Sequence, residues 1–166
     1  GRAVRAIQDR VVELSEDVRH LAYQFHPSIL DDLGLSIALQ RLVDDFTVRS
    51  NVRGSFSHTN IQEIVPQEIA TCLYRVAQES LNNVARHAQA SRVDVELTRS
   101  QSWLTVTITD DGVGFDSEQS QHGQHGLGLL SMKERVALVH GALQIISAMG
   151  MGTRVQVVVP VLEEEE

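Results

Sequence analysis

Polar side chains on one face of a predicted helix, from about Gln67 to Ala88, could do chemistry on a phosphorylated ligand. Residues three and four apart share a helix face, and the polar face consists of Glu79, Asn83, Arg86 and His87. A carboxylate and an amide one turn apart, followed by two potential cations, could hold a hydrated magnesium ion and the phosphates it bridges. A solvated helix face would show the same pattern.

The stretch DDGVGF, residues 110–115, comes directly after a predicted strand. The carboxylate of Asp110 could accept a hydrogen bond from an exocyclic amine. Gly112 and Gly114 let the backbone approach a flat ring, because they have no Cβ atom to obstruct it. The stretch therefore suits a purine base, although an ordinary Asp-Gly turn would also explain it.

A third candidate is the start of the next predicted helix, at Gly126, Leu127 and Gly128. Free N–H groups and the positive end of the helix dipole form an anion site at such a position. Glycines needed only for packing are the alternative. The spacing does not match the dinucleotide fingerprint, and no Gly-Lys-Ser or Gly-Lys-Thr of a Walker loop occurs.

A fourth candidate is Thr153, which follows Gly150 and Gly152 in a predicted tight turn. Its hydroxyl could reach a ligand through a water molecule. A hairpin turn would need no ligand to explain it.

Alternating strands and helices must position these residues. Alternating apolar and polar residues predict strands at 52–60, 92–99, 103–110, 142–148 and 153–161, and a further helix runs from about Leu127 to His140. Tight turns join most neighbouring strands, so we expect an α+β fold with a mixed sheet and helices on one face.

The N-terminal 50 residues follow a different pattern, in which apolar residues recur at alternating spacings of three and four: Val4, Ile7, Val11, Leu14, Val18, Leu21 and Phe25. Such a narrow apolar stripe predicts a helix that packs on another helix. Pro27 ends this helix, and Leu35, Leu39, Leu42 and Phe46 restart the periodicity. The prediction is a helical segment over 1–50 and a second domain over 51–162. A core helix of a single domain is the alternative.

Composition narrows the class of protein. The chain has 166 residues, 42% of them hydrophobic, and a net charge of −8 of which Glu163–Glu166 supply half. An acidic surface argues against nucleic acid as a partner, and residues 163–166 are expected to form a solvated tail. No apolar run is long enough to span a membrane. The single cysteine, Cys72, excludes an internal disulfide and favours a cytoplasmic location.

The order of the four candidates resembles the Bergerat ATP-binding domain of sensor histidine kinases. The sequence QESLNNVARHA, residues 78–88, is similar to the nucleotide box of the nitrate-sensing and degradative-enzyme-sensing group. RHLAYQFHPSILDDLGLSIAL, residues 19–39, resembles the second helix of that group's dimerisation and phosphotransfer domain. The resemblance covers nearly the whole chain and implies a protein-histidine kinase of two-component signalling.

The resemblance also implies roles for the matched polar residues. Asn83 would ligate Mg²⁺, and Glu79 would support the metal or its water, so these two are the expected catalytic and metal-binding residues. Arg86 and His87 would face the phosphates or the ribose of ATP. Asp110 would accept a hydrogen bond from the adenine amino group.

The matched glycines and the last turn complete the expected ATP site. Gly112 and Gly114 would border the adenine ring, and Thr153 would complete its pocket. The stretch of Gly126, Leu127 and Gly128 would contact the phosphates. Residues 116–125 resemble the lid that closes over the triphosphate.

The resemblance further implies a homodimer through residues 4–46 and a response regulator receiver domain as partner. The family's acceptor motif is a histidine followed by Asp or Glu; His20 precedes Leu21 and His26 precedes Pro27, so neither matches. We therefore expect ATP binding without phosphorylation of the usual histidine. Two alternatives stay open: a related ATPase in which Glu79 activates water, and a non-catalytic dimerising module.

Overall fold

A computed structural model describes residues 27–61, 64–116 and 126–161, together with the helical positions 3, 4, 7, 10, 11 and 14. Three helices and five strands lie within these ranges. In chain order they are α1 (Ser28–Arg49), β1 (Arg53–Thr59), α2 (Gln67–Asn83), β2 (Arg92–Arg99), β3 (Trp103–Asp110), α3 (Gly126–Leu138), β4 (Ala142–Ser147) and β5 (Thr153–Pro160).

The five strands form one mixed sheet in the order β1-β2-β3-β5-β4. β1 and β2 are parallel, because α2 crosses over between them, and the other neighbouring pairs are antiparallel. Pairing aligns Asp110, at the end of β3, with Thr153, at the start of β5. Ser147, at the end of β4, also pairs with Thr153. Three strand ends therefore meet at one point.

One face of the sheet packs against the helices, which confirms the predicted α+β class. Successive strand residues point to opposite faces, and the alternate apolar positions of β2, β3 and β5 are buried: Val93, Val95, Leu97, Leu104, Val106, Ile108, Val155, Val157 and Val159. Buried residues of α2 and α3 complete this core. Most intervening positions of β2 and β3 carry polar side chains on the other face.

The predicted strands coincide with the observed ones within one or two residues, but the predicted helix to Ala88 changes its geometry. α2 is α-helical only to Asn83, and Val84–Ala88 form a π-helical turn that ends at Gln89, in the left-handed conformation (φ 49°). A π-helical turn inserts an extra residue relative to an α-helix and occurs frequently at functional sites.

α1 belongs to the same core as the sheet. Leu35, Ala38 and Leu39 are buried, and they share one apolar cluster with α2 and the strands. A kink at Gly34 (φ 77°) interrupts this helix, so the periodicity from Leu35 onward belongs to its second part. The apolar cluster therefore contains residues from both sides of residue 50.

Four of the N-terminal apolar positions lie within the described residues. Val4, Ile7, Val11 and Leu14 are helical, and each is between 58% and 63% exposed. The predictions for residues 18, 21 and 25 fall outside the described part of the chain. Among the described residues, every helix is too short or too polar to cross a lipid bilayer.

Candidate nucleotide-binding site

A pocket of about 610 Å³, open to solvent, lies where the end of α2 meets the ends of β3, β4 and β5. Its lining combines apolar walls with a few polar groups: Ser80, Asn83, Val84, His87, Ala88, Ile108, Asp110, Gly114, Phe115, Leu129, Ile145, Thr153 and Val155.

Asp110 is the buried acid of this pocket, with only 8% of its surface exposed. Its Oδ1 accepts a hydrogen bond from the backbone N–H of Gly112 at 2.8 Å. Burial raises the pKa of Asp110, while backbone hydrogen bonds from Gly112 and Thr153 oppose that shift. A carboxylate can accept about four hydrogen bonds, so Asp110 retains capacity to accept from a ligand.

Two glycines allow the chain after β3 to fold tightly beside Asp110. A Cβ atom at Gly112 would collide with the carbonyl oxygen of Ala88, and one at Gly114 would collide with the carbonyl oxygen of Ala148. Gly114 also has a positive φ of 64°, which glycine adopts without the usual steric cost. The N–H of Val113 donates to the Ala88 carbonyl at 2.7 Å. The loop is thus held against the π-helical turn.

The polar face predicted on α2 is only partly directed into the pocket. Asn83 and His87 line it, whereas Arg86 does not, and both His87 and Arg86 are exposed. Glu79 lies next to α3. Its carboxylate is so close to Gly128 that a Cβ atom at that position would collide with it. The predicted acidic residue and the predicted anion-binding glycine are therefore neighbours.

A phosphate bound at the first turn of α3 would lie near the Glu79 carboxylate, and a cation between these two negative groups would suit both. A carboxylate beside a phosphate would be repelled unless a cation separates them, and bound divalent ions are often the largest charges in such sites. Among the described residues, no group of three or more His, Cys, Asp or Glu side chains could hold a metal ion. Mg²⁺ characteristically binds through one or two protein oxygens together with substrate phosphates and water. Asn83 and Glu79 fit that kind of donor set.

The remaining predicted residues lie near the pocket without lining it. Gly112 lies behind Asp110, while Gly126, Leu127 and Gly128 form the first turn of α3. The lid expected at 116–125 falls outside the described residues except for its first residue, Asp116.

Several pocket residues were not predicted from the sequence. Leu129 and Ile145 belong to the apolar wall, and Ser147 joins three segments behind it. Their apolar or small polar types are common in any helix or strand, so only the packing of α3 and the pairing of the strands reveal them. Phe115 carried a weak signal, because it completes the DDGVGF stretch.

The chain is similar in sequence to proteins named as histidine kinases. It is 36% identical over 96% of its length to the sensor histidine kinase MctS of Rhizobium johnstonii, and covers 34% of that protein. It is 33% identical over 99% of its length to the signal transduction histidine-protein kinase/phosphatase DegS of Brevibacillus brevis, and covers 42% of it. The chain thus spans less than half the length of these relatives.

A solved structure shares the fold. The histidine kinase domain of a blue-light activated histidine kinase from Erythrobacter litoralis aligns with a TM-score of 0.61 at 25% identity, covering 76% of this chain and 60% of that domain. The family model described as histidine kinase-, DNA gyrase B-, and HSP90-like ATPase matches residues 68–163. This match takes in the described pocket and more than half of the chain. The chain is therefore a member of the histidine kinase-, DNA gyrase B-, and HSP90-like ATPase family.

Proposed function

We propose that this chain is the ATP-binding catalytic part of a two-component sensor histidine kinase. The observation that carries the proposal is the convergence of Asn83, Asp110 and Thr153 on one pocket, although up to 70 positions separate them in the sequence. The comparisons support the kinase class, because the matched relatives are named as histidine kinases.

The base of ATP would occupy the end of the pocket at Asp110. The carboxylate would accept a hydrogen bond from the exocyclic amine of adenine, and the apolar walls from Ile108, Ile145 and Val155 would contact the ring. A buried acceptor discriminates strongly, because a ligand without the matching donor leaves it unpaired. Gly112 and Gly114 allow the backbone to border the ring.

The phosphates would lie toward α3, where Gly126 and Gly128 occupy the first turn. Asn83 and Glu79 would hold Mg²⁺, which would neutralise the charge that develops on the phosphates during transfer. The chain's own contribution is to bind and orient: the N-terminus of α3 faces the anion, and His87 and Arg86 are the candidate cations for the phosphates or ribose. Leu127 lies between these two glycines, and Leu129 follows them.

In the parent kinase, the γ-phosphoryl group would pass to a histidine and then to an aspartate of a response regulator receiver domain. His20 and His26 lie outside the described residues and do not match the acceptor motif, so the proposal does not assign the acceptor to them. Residues 1–50 are the proposed helical part of the dimerisation and phosphotransfer domain, residues 51–162 the proposed catalytic domain, and the proposed location is the cytoplasm.

Calorimetric titration with ATP, with and without Mg²⁺, tests the proposal on the chain itself. We expect binding that strengthens when Mg²⁺ is added. Asn83→Ala should remove most of that metal-dependent gain, because the amide oxygen is a proposed ligand. The matched control is Asn82→Ala, since Asn82 is exposed and does not line the pocket. A folded protein that binds no ATP in the presence of Mg²⁺ would overturn the proposal.

A further inference from the structure

Ser147, at the end of β4, connects three segments that surround the pocket. Its Oγ atom accepts a hydrogen bond from the backbone N–H of Phe115 at 2.9 Å and donates to the carbonyl oxygen of Gly152 at 3.0 Å. The same atom lies 2.9 Å from Oγ1 of Thr153. Ser147 thus contacts the loop after β3, the turn between β4 and β5, and the first residue of β5.

The number of protons on the Ser147 hydroxyl decides which of the two hydroxyls, that of Ser147 or that of Thr153, donates to the other. A serine hydroxyl has one proton and two acceptor lone pairs. The N–H of Phe115 can only donate, so it uses one lone pair, and the carbonyl of Gly152 can only accept, so it takes the proton. The remaining contact needs a donor, and the hydroxyl of Thr153 must supply it.

This assignment fixes the direction in which the Thr153 hydroxyl donates. Its single proton points to Ser147, so its hydroxyl has only lone pairs for any other group. The cross-strand partner of Thr153 is Asp110, whose ionised carboxylate also only accepts. Both residues line the pocket. The side-chain groups of this residue pair therefore offer acceptors to a ligand and no hydroxyl donor.

We propose that Ser147 is a positioning residue that makes the pocket selective for an amino-purine over an oxo-purine nucleotide. It holds the Thr153 hydroxyl as an acceptor, which matches a ligand amine in direct hydrogen-bond contact. A ligand carbonyl at the same place would face acceptors alone. This inference rests on the proposed ATP site and assigns a part of its base selectivity to a residue that lies behind the pocket.

Removal of the Ser147 hydroxyl should free the proton of Thr153. In Ser147→Ala, the Thr153 hydroxyl can rotate and donate into the pocket, so a ligand carbonyl finds a hydrogen-bond donor there. We expect the ratio of ATP affinity to inosine triphosphate affinity to fall by about 3- to 10-fold, since one hydrogen bond contributes about 0.5–1.5 kcal/mol net. Inosine triphosphate is the probe because it carries a carbonyl oxygen where ATP carries an amino group.

Ser147→Ala also removes the acceptor for the Phe115 N–H, so a lower ATP affinity alone would not identify the positioning role. The double-mutant cycle with Thr153→Val separates the two effects, because valine lacks the hydroxyl that Ser147 is proposed to hold. In the Thr153→Val background, Ser147→Ala should leave the affinity ratio unchanged. Ser147→Thr retains a hydroxyl and should restore the wild-type ratio. Ser100→Ala is the matched control, since the Ser100 hydroxyl is exposed, donates to the Trp103 carbonyl and does not line the pocket.

The outcomes separate this inference from the proposed function. If the wild type binds ATP and prefers it to inosine triphosphate but Ser147→Ala keeps the wild-type ratio, the positioning role is refuted and the ATP site stands. If the effect of Ser147→Ala on the ratio persists in the Thr153→Val background, Ser147 acts through another group and the inference fails. Should Ser147→Ala not fold, Ser147→Cys gives the same test, because a thiol is only a weak donor and acceptor: the ratio should fall, and an unchanged ratio refutes the positioning role. A wild type that binds neither nucleotide overturns both proposals.

Discussion

Asp110 and Asp111 are neighbours at the end of β3, yet they lie in opposite environments. Asp110 is buried beside the pocket and bonded to backbone N–H groups on the inner side. Asp111 is exposed on the outer side, where its carboxylate accepts hydrogen bonds from the N–H of Ser91 at 2.8 Å, the N–H of Arg92 at 2.9 Å and the Ser91 hydroxyl at 2.6 Å. Successive strand residues point in opposite directions, so one residue faces the ligand space and the other the loop before β2.

The pKa values of the two carboxyl groups move in opposite directions. Burial raises the pKa of Asp110, whereas the Ser91 hydroxyl, followed by backbone donors, lowers the pKa of Asp111. A charge that burial disfavours lowers the stability of the empty protein, and a charge that hydrogen bonds favour raises it. Asp111 therefore stabilises the folded state, whereas the buried charge of Asp110 lowers the free energy of unfolding until a ligand donates a hydrogen bond to it.

The largest expected effect is on nucleotide binding by Asp110→Asn. Hydrogen bonds to charged groups contribute about 1.5–3 kcal/mol, so the affinity for ATP should fall by about 10- to 100-fold. The stability of the empty protein should fall less than in Asp111→Asn, because asparagine keeps an acceptor for Gly112 and removes a buried charge. Calorimetry and chemical denaturation measure the two quantities. An unchanged ATP affinity would remove Asp110 from the site.

The next effect concerns the glycine that supports Asp110. In Gly112→Ala, the Cβ atom would overlap the Ala88 carbonyl oxygen and lie 2.8 Å from Oδ1 of Asp110. Overpacking of this kind costs about 1–3 kcal/mol, and the displaced carboxylate should also weaken ATP binding.

Gly150→Ala is the matched control for the affinity measurement. Gly150 has a φ of 79°, but no atom lies within 4 Å of its Cβ position. Alanine there should lower stability through backbone strain alone and leave ATP affinity unchanged. Equal losses of affinity in both variants would contradict the steric role of Gly112.

Asp111→Asn should give the converse of Asp110→Asn. Asparagine has one side-chain carbonyl oxygen, so it cannot replace all the bonds that the carboxylate accepts from Ser91 and Arg92. We expect a lower Tm with no change in ATP affinity. A loss of ATP affinity at an unchanged Tm would reverse the assignment of the two aspartates.

The smallest expected effect is the pH dependence of unfolding. The contribution of Asp111, whose folded pKa lies below the ordinary 3.8, is present above that value and is lost as pH falls through the folded pKa. The contribution of Asp110 has the opposite sign: it is present below 3.8 and is lost as pH rises through the raised folded pKa. Relative to the wild type, Asp110→Asn should therefore gain stability as pH rises through this range. Thermal unfolding between about pH 3 and 7 measures the differences.

The sequence specified most of the local structure. β2 and β3 coincide with the predicted ranges 92–99 and 103–110, because the alternation of apolar and polar residues is a local property of a strand with one buried face. The helix predicted from about Leu127 to His140 is observed over Gly126–Leu138, and the strands after it followed from the same alternation. The candidate residues Asn83, Asp110 and Thr153 were also predicted, because their polar types stand next to glycines or helix signals.

The sequence could not show the change of helix geometry at Val84–Ala88, which depends on how this turn packs under the loop after β3. Nor could it show that Arg86 is exposed while His87 lines the pocket. The position of Glu79 against Gly128 likewise requires α2 and α3 to pack together.

The role of Ser147 shows most clearly what only the tertiary structure decided. No periodic pattern in the sequence distinguishes this serine from any other residue of a strand. Its hydroxyl gains its hydrogen-bond partners only when β4 pairs with β5 and the loop after β3 folds onto that turn. Local alternation fixed which faces of the strands are buried. The pairing of β4 with β5 and the contact with Phe115, 32 residues away, fixed which hydroxyl donates, because a hydrogen bond depends on the distance and direction between its atoms.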